Sequence, residues 1–268
     1  MGFLEEIVHE TQRTIASSEY GIGLPPSRAR VPLSFRAAVE RDRPRGALVV
    51  EYKRVSPGNR DPILPARSVS EFAELTAHAG VSALSCLATV PRFHGSPDDV
   101  AVLARSSPRP VLFKDFVIDE RQLDVAARAG ASAVLLIARL ATEGYLSVPL
   151  SALAEGAHRR GLEVVLEFHA RSELSHVAEV AADVYGVNTR NLDTLVIDRP
   201  TASQTVREAL EGGLRPLLGL SGVEEVSDAR RFWAEGVDGL LVGSAVARAR
   251  DPAKFLATLH RSQAGEPA

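Results

Sequence analysis

From residue 46 onward the chain alternates between two kinds of segment. Short apolar, β-branched runs at 47–53, 81–87, 110–114, 132–138, 163–168, 184–188, 215–219 and 238–242 predict strands buried on both faces, because a strand with one wet face alternates apolar and polar residues. Segments of helical period follow most of them, at 70–79, 97–106, 119–129, 149–160, 171–182, 201–211, 223–235 and 251–261. Gly80, Gly130, Gly161 and Gly236 sit just past four of these helices, where a left-handed C-cap suits glycine. Upstream, Leu4, Ile7, Val8, Thr11 and Ile15 share one helical face, which predicts an amphipathic helix over 2–17.

Eight strand-then-helix units predict an α/β protein: a single (β/α)8 TIM barrel. Its expected limits are an N-terminal helical extension at 1–45 packed on the barrel, the barrel at 46–262 and a flexible tail at 263–268. An open doubly wound sheet is the alternative, but no glycine-rich loop follows the first strand. Gly21-Ile22-Gly23-Leu24-Pro25-Pro26 begins like a dinucleotide loop, yet Pro26 stands where the third glycine belongs and no strand precedes it.

Composition narrows the partner. The 268 residues carry a net charge of −3 with basic residues scattered along the chain, which argues against nucleic acid or an anionic membrane and for a small polar metabolite. Glu5 and Glu6 lie where a signal peptide needs basic residues, and the apolar stretch 133–138 is far short of the ~20 residues that span a bilayer. A lone cysteine, Cys86, fits a reducing cytoplasm and excludes an intrachain disulfide. The histidines, His169 and His176 among them, show no metal-ligand spacing and are expected to be solvated or packed. Cytoplasmic location, no metal and no cofactor are the resulting expectations.

Of 31 basic residues only Lys53, Lys114 and Lys254 are lysines. Functional side chains of a barrel gather at the carboxyl ends of its strands, and two of the three lysines are there. Glu51, Lys53 and Ser56 follow the first run, Lys114 and Asp115 the third, Glu167 and His169 the fifth, and Asn188 and Arg190 the sixth. Glu51 and Lys53 are two apart and so share a side of the strand. An ammonium ending a buried run must be compensated or have its pKa lowered, and lysine, unlike arginine, can donate a proton near neutral pH. Ser221-Gly222 and Gly243-Ser244 follow the seventh and eighth runs, the two loops that hold phosphate in many barrels.

Glu51-Tyr52-Lys53-Arg54-Val55-Ser56-Pro57, Phe93-His94-Gly95-Ser96, Leu112-Phe113-Lys114-Asp115-Phe116 and the run Gly186 to Leu195 occur in this order. Together they make the chain resemble indole-3-glycerol-phosphate synthases, from the first helix to the last. The resemblance implies conversion of 1-(2-carboxyphenylamino)-1-deoxyribulose 5-phosphate into indole-3-glycerol phosphate, CO2 and water, without metal or cofactor. It implies Lys114 as general acid at the ribulose carbonyl, Lys53 on the anthranilate carboxylate, and Glu167 as base of dehydration and rearomatisation. Glu51 and Asn188 would bind hydroxyls and position the lysines, Phe93 would pack on the aromatic ring, and Ser56, Arg190, Gly222, Gly243 and Ser244 would anchor phosphate, with Leu220 and Ser221 beside them. Contacts with other tryptophan-pathway enzymes are a further partner class it brings in.

Two departures stand out. Leu220-Ser221-Gly222 replaces the family's usual Glu-Ser-Gly, and Leu87-Ala88-Thr89 replaces Leu-Thr-Glu. Loss of two acids should lower the lysine pKa values. It also motivates an alternative: a weakly active or non-catalytic paralogue that binds the phosphate ligand or a partner enzyme. Another phosphate-binding barrel, such as phosphoribosylanthranilate isomerase, is the second alternative.

Overall fold

In the computed structural model the eight apolar runs pair in parallel, each with its neighbour in sequence, and the eighth with the first, closing the sheet into a barrel. Residues 2–17, 19–28, 31–55, 68–77 and 80–260 are described. In chain order the elements are α1 (Phe3–Ala16), α2 (Phe35–Asp42), β1 (Ala47–Tyr52), α3 (Val69–Ala77), β2 (Ala83–Leu87), α4 (Pro97–Ser106) and β3 (Val111–Lys114). They continue with α5 (Glu120–Arg128), β4 (Ala133–Ile137), α6 (Ala138–Thr142), α7 (Leu150–Arg159), β5 (Glu163–Phe168), α8 (Leu174–Ala178) and β6 (Val184–Asn188). The last are α9 (Arg199–Glu211), β7 (Leu217–Leu220), α10 (Val226–Glu235), β8 (Gly239–Val242), α11 (Ser244–Arg248) and α12 (Pro252–Leu259).

Although the strands read as continuously apolar, their alternate residues go to two different places. Val49, Leu112, Leu135, Val165, Leu218 and Leu241 pack with one another inside the barrel. Leu48, Val50, Leu84, Phe113, Leu136, Leu166 and Leu240 instead pack in a second cluster with helix residues such as Phe72, Leu103, Leu123, Leu153 and Val206. The period of two is present but carries no polarity, because both faces are dry.

The four glycines expected at helix ends all have positive φ, from 65° at Gly161 to 91° at Gly236. Elements with little sequence signal were missed: α2, α6 and α11. Ala138, expected to end β4, instead opens α6, where Arg139 reaches both Glu143, 2.8 Å away, and Asp193 at 3.0 Å. The helix expected over 171–182 is a short 3-10 turn, Arg171–Glu173, running into α8. Within the N-terminal segment, α2 serves the amino end of the barrel: Ser34 Oγ and Arg36 N donate to the Glu163 carboxylate at the start of β5, at 2.6 and 2.7 Å. The tail at 263–268 lies outside the described residues. No helix among the described residues is long and apolar enough to cross a membrane.

Leu220 ends β7 opposite Asn188 of β6, is wholly buried, and belongs to the barrel-interior cluster. Its side chain occupies the space over Gly186, where an added Cβ would lie 2.7 Å from Leu220 Cδ1. Gly186→Ala should therefore destabilise the fold by about 1–3 kcal/mol through overpacking, and Leu220→Ala in the same chain should recover part of that loss. Urea unfolding of the two single variants and the double variant measures it; additive losses would contradict the contact.

Candidate active site

Strand alternation decides which polar groups reach the mouth of the barrel. Glu51, Lys114, Glu167 and Asn188 fall in register with the inward-facing apolar residues below them and end, or nearly end, their strands. With Lys53, Phe93, Arg190, Ser221, Gly222, Gly243 and Ser244 they line one pocket at the mouth of the barrel. Ser56 lies outside the described residues. Leu220 is not part of the lining: it is packed among the inward-facing apolar side chains, so the alkyl group stands in the core and not on the rim expected from sequence.

Glu51 joins the two lysines. Its Oε1 is 2.9 Å from Lys53 Nζ and its Oε2 is 2.9 Å from Lys114 Nζ. Burial alone would raise the Glu51 pKa, but the two ammonium groups outweigh it and hold the carboxyl at about 2. The converse holds for Lys114: burial disfavours its charge, yet the Glu51 and Glu167 carboxylates prevail and its pKa is raised. The lysine is compensated, not depressed, despite the missing acids at 220 and 89.

Glu167 is only 2% exposed. Burial pushes its pKa above the ordinary carboxylate value, against the opposing pull of Lys114 and of the Asn188 hydrogen bond. Asn188 Nδ2 donates to Glu167 Oε1 at 2.8 Å, and Asn188 Oδ1 accepts from Arg190 N at 2.9 Å. The amide thus holds the carboxylate, not a lysine, and ties it to the loop that carries Arg190.

At the other end of the pocket, Ser221 and Gly222 take left-handed backbone angles, φ 63° and 72°. A Cβ on Gly222 would lie 2.7 Å from Thr189 Oγ1, and one on Gly243 would lie 2.9 Å from Glu51 Oε1 and 3.1 Å from Lys53 Nζ. Glycine at 243 therefore makes room for the ion pair as well as exposing backbone at the start of α11. Arg190 stands alongside, with its Nη1 donating to Leu195 O at 2.6 Å.

Several pocket residues were not found from sequence. Phe3 of α1 lines the pocket and stands edge-on to Phe93, centroids 6.1 Å apart, while Phe116 continues the aromatic wall 6.2 Å beyond. Arg92, at φ 61°, fastens α1 through Glu10 at 2.9 Å and Glu6 at 2.7 Å. Asp115, buried beside Lys114, accepts from Thr89 Oγ1 at 2.8 Å, Gln122 Nε2 at 3.0 Å and Tyr20 OH at 3.2 Å. Thr89 is thus engaged where an acid was expected. Asp115 had already been named at the end of the third strand, from its place next to Lys114; for Phe3 there was no signal, since any apolar helix residue reads as core. Cys86 is buried and its thiol pKa is pushed up by burial. Among the described residues no group of three or more His, Cys, Asp or Glu side chains could hold a metal ion.

The family model described as indole-3-glycerol phosphate synthase matches residues 4–259. The indole-3-glycerol phosphate synthase of Staphylococcus aureus is 34% identical over 262 residues, 97% of each chain. Indole-3-glycerol phosphate synthase 2 of Streptomyces coelicolor is 38% identical over 235 residues, 88% of this chain and 86% of that one. Among solved structures, a thiamine phosphate pyrophosphorylase from Pyrococcus furiosus superposes with a TM-score of 0.57 at 20% identity, over 84% of this chain and 96% of that one. That likeness is one of fold.

With three lysines in the chain, their ionisation can be followed one by one. Glu51→Gln removes a charge that holds up Lys114, so its pKa should fall and the share of free amine at a given pH should rise. Acylation at mildly alkaline pH, read by peptide mass spectrometry against Lys254 as internal standard, should accelerate at Lys114. An unchanged ratio would show that Glu51 does not set the Lys114 charge.

Proposed function

The chain belongs to the indole-3-glycerol phosphate synthase family, and we infer that it closes, decarboxylates and dehydrates 1-(2-carboxyphenylamino)-1-deoxyribulose 5-phosphate to indole-3-glycerol phosphate, CO2 and water. The observation that carries this is the single pocket in which Lys53 and Lys114 share the Glu51 carboxylate while Glu167 faces the same space.

In the roles we assign, Lys114 gives a proton to the ribulose carbonyl oxygen as the anthranilate ring carbon attacks, and its raised pKa keeps it charged for that step. Lys53 pairs with the substrate carboxylate until CO2 departs, restoring aromaticity. The hydroxyl then leaves as water after a second protonation, and Glu167 removes one hydrogen from the nitrogen-bearing methylene carbon. Burial suits Glu167 to this, since a raised pKa makes a stronger base. Phe3, Phe93 and Phe116 would flank the aromatic ring. Arg190, Ser221, Gly222, Gly243 and Ser244 would take the phosphate, with Ser56 as a further candidate.

A non-catalytic role rested on Leu220 and Thr89. Leu220 is packed among the inward-facing apolar side chains and Thr89 is bonded to Asp115, so both are accommodated without disturbing Lys53, Lys114 or Glu167, which supports the catalytic assignment.

Incubation with the carboxyphenylamino-deoxyribulose phosphate should generate indole fluorescence; no turnover at high enzyme concentration would refute the function. Lys114→Arg keeps the charge but cannot release the proton, and should cost at least about 100-fold in kcat. Lys254→Arg, on an 87% exposed side chain 3.5 Å from Asp251, should be silent. Because Glu167 works as the carboxylate, kcat should fall as the pH drops through a value above the ordinary glutamate pKa of about 4.3. A limb at or below that value would contradict its assigned burial.

A further inference from the structure

Glu167 faces two spaces. Besides the main pocket it lines a small cleft enclosed by the loops after β4, β5 and β6, with Arg139, His169, Glu173 and Asp193 among its walls. The interior leaves about 20 Å³ for solvent, room for one ordered water. Its inner end is deeply buried, with Glu167 at 2% and Glu173 at 1% exposure. The opposite wall reaches the surface, where the Arg139 and Asp193 side chains are 30% and 36% exposed.

His169 is fixed in this cleft from two sides. Its backbone N–H donates to Glu173 Oε2 at 2.9 Å, and its Nδ1 lies 2.6 Å from the Asn188 carbonyl oxygen. A carbonyl only accepts, so Nδ1 carries the hydrogen and Nε2 holds the basic lone pair. Nε2 makes no hydrogen bond among the described residues. Asn188, whose carbonyl anchors His169, is the same residue whose amide holds Glu167 Oε1. Glu167 Oε2 is buried with no hydrogen-bond partner. Glu167, Glu173 and Asp198 are the carboxylates whose electrostatics involve His169, and Arg139 is the cation of the cleft.

We propose that this cleft is the proton path that resets Glu167, with His169 as the relay between the catalytic carboxylate and solvent. The proposal rests on Glu167 being the base that removes a hydrogen from substrate carbon. The departing oxygen takes two protons, supplied by the ammonium groups and recovered from solvent. The carbon-derived proton stays on Glu167, whose pocket side is covered by substrate or product. A water in the cleft takes that proton from the Glu167 carboxyl and passes one to His169 Nε2. The imidazolium gives it up to solvent at the Arg139–Asp193 rim, and both groups return to their starting charge. His169 touches no substrate in this scheme: it acts through Glu167.

His169→Asn separates relay from support, because the asparagine amide nitrogen can replace Nδ1 as donor to the Asn188 carbonyl but offers no basic nitrogen. In this variant kcat should fall by about 10- to 100-fold, up to the lower end of what a positioned proton-transfer group contributes. KM and the melting temperature should stay unchanged, and added imidazole should restore kcat in proportion to its free-base concentration. Wild-type kcat in His169→Asn, or a fall that imidazole does not repair, would overturn the relay while leaving the activity intact. Absence of turnover by the unmodified chain in the same assay would overturn the activity and the relay together.

Discussion

A carboxylate at 4% exposure is tolerable only because two ammonium groups meet it, and the rest of the site is arranged around that meeting. Stripping an ion of water costs several kcal/mol even after relaxation, so Glu51 without Lys53 and Lys114 would not stay charged. Lys114 is half-buried, with 19% of its side chain exposed, and leans on Glu51 and Glu167. The chain also leaves physical room for the triad. Gly243 has no Cβ, and one there would press on Glu51 Oε1 and Lys53 Nζ. Gly243 and the Glu51–Lys53 ion pair are therefore parts of one packing arrangement.

The barrel supplies the fixed geometry that such charges need. Strand residues at the carboxyl ends face inward at defined heights: Glu167 pairs in register with Ile137 and Gly186, and Asn188 with Leu220. Each carries a charged or polar group above a layer of Val, Leu and Ile that admits no competing partner. Preorganisation of this kind lets the groups act without reorienting as charge moves.

Against this rigid floor the cover is local and ionic. α1 brings Phe3 to the pocket, and Arg92 grips Glu6 and Glu10 while lying 5.6 Å from the Phe3 ring. Below it, Tyr20 of the same N-terminal segment bonds Asp115, the neighbour of Lys114. The segment before the barrel is thus tied to the site at the aromatic wall and at the carboxyl end of β3.

The apolar runs, the helical periods between them and the end-of-strand positions of Glu51, Lys53, Lys114, Glu167 and Asn188 were legible without coordinates, because strand burial and strand ends are local properties of the chain. So was the pairing of Ser221-Gly222 with Gly243-Ser244. The short helices α6 and α11 were not, since five residues carry less than two turns of periodicity. His169, named at the end of the fifth strand and expected to be solvated or packed, is half-buried with its Nδ1 bonded to the Asn188 carbonyl, a partner that sequence could not name. The sequence by itself determined which residues bear charge at the ends of buried strands, and hence the chemistry available. Tertiary structure alone decided that Leu220 points into the core, that Phe3 reaches the pocket and that one carboxylate serves two lysines. Those outcomes depend on which distant segments meet when the sheet closes, and no local pattern encodes that.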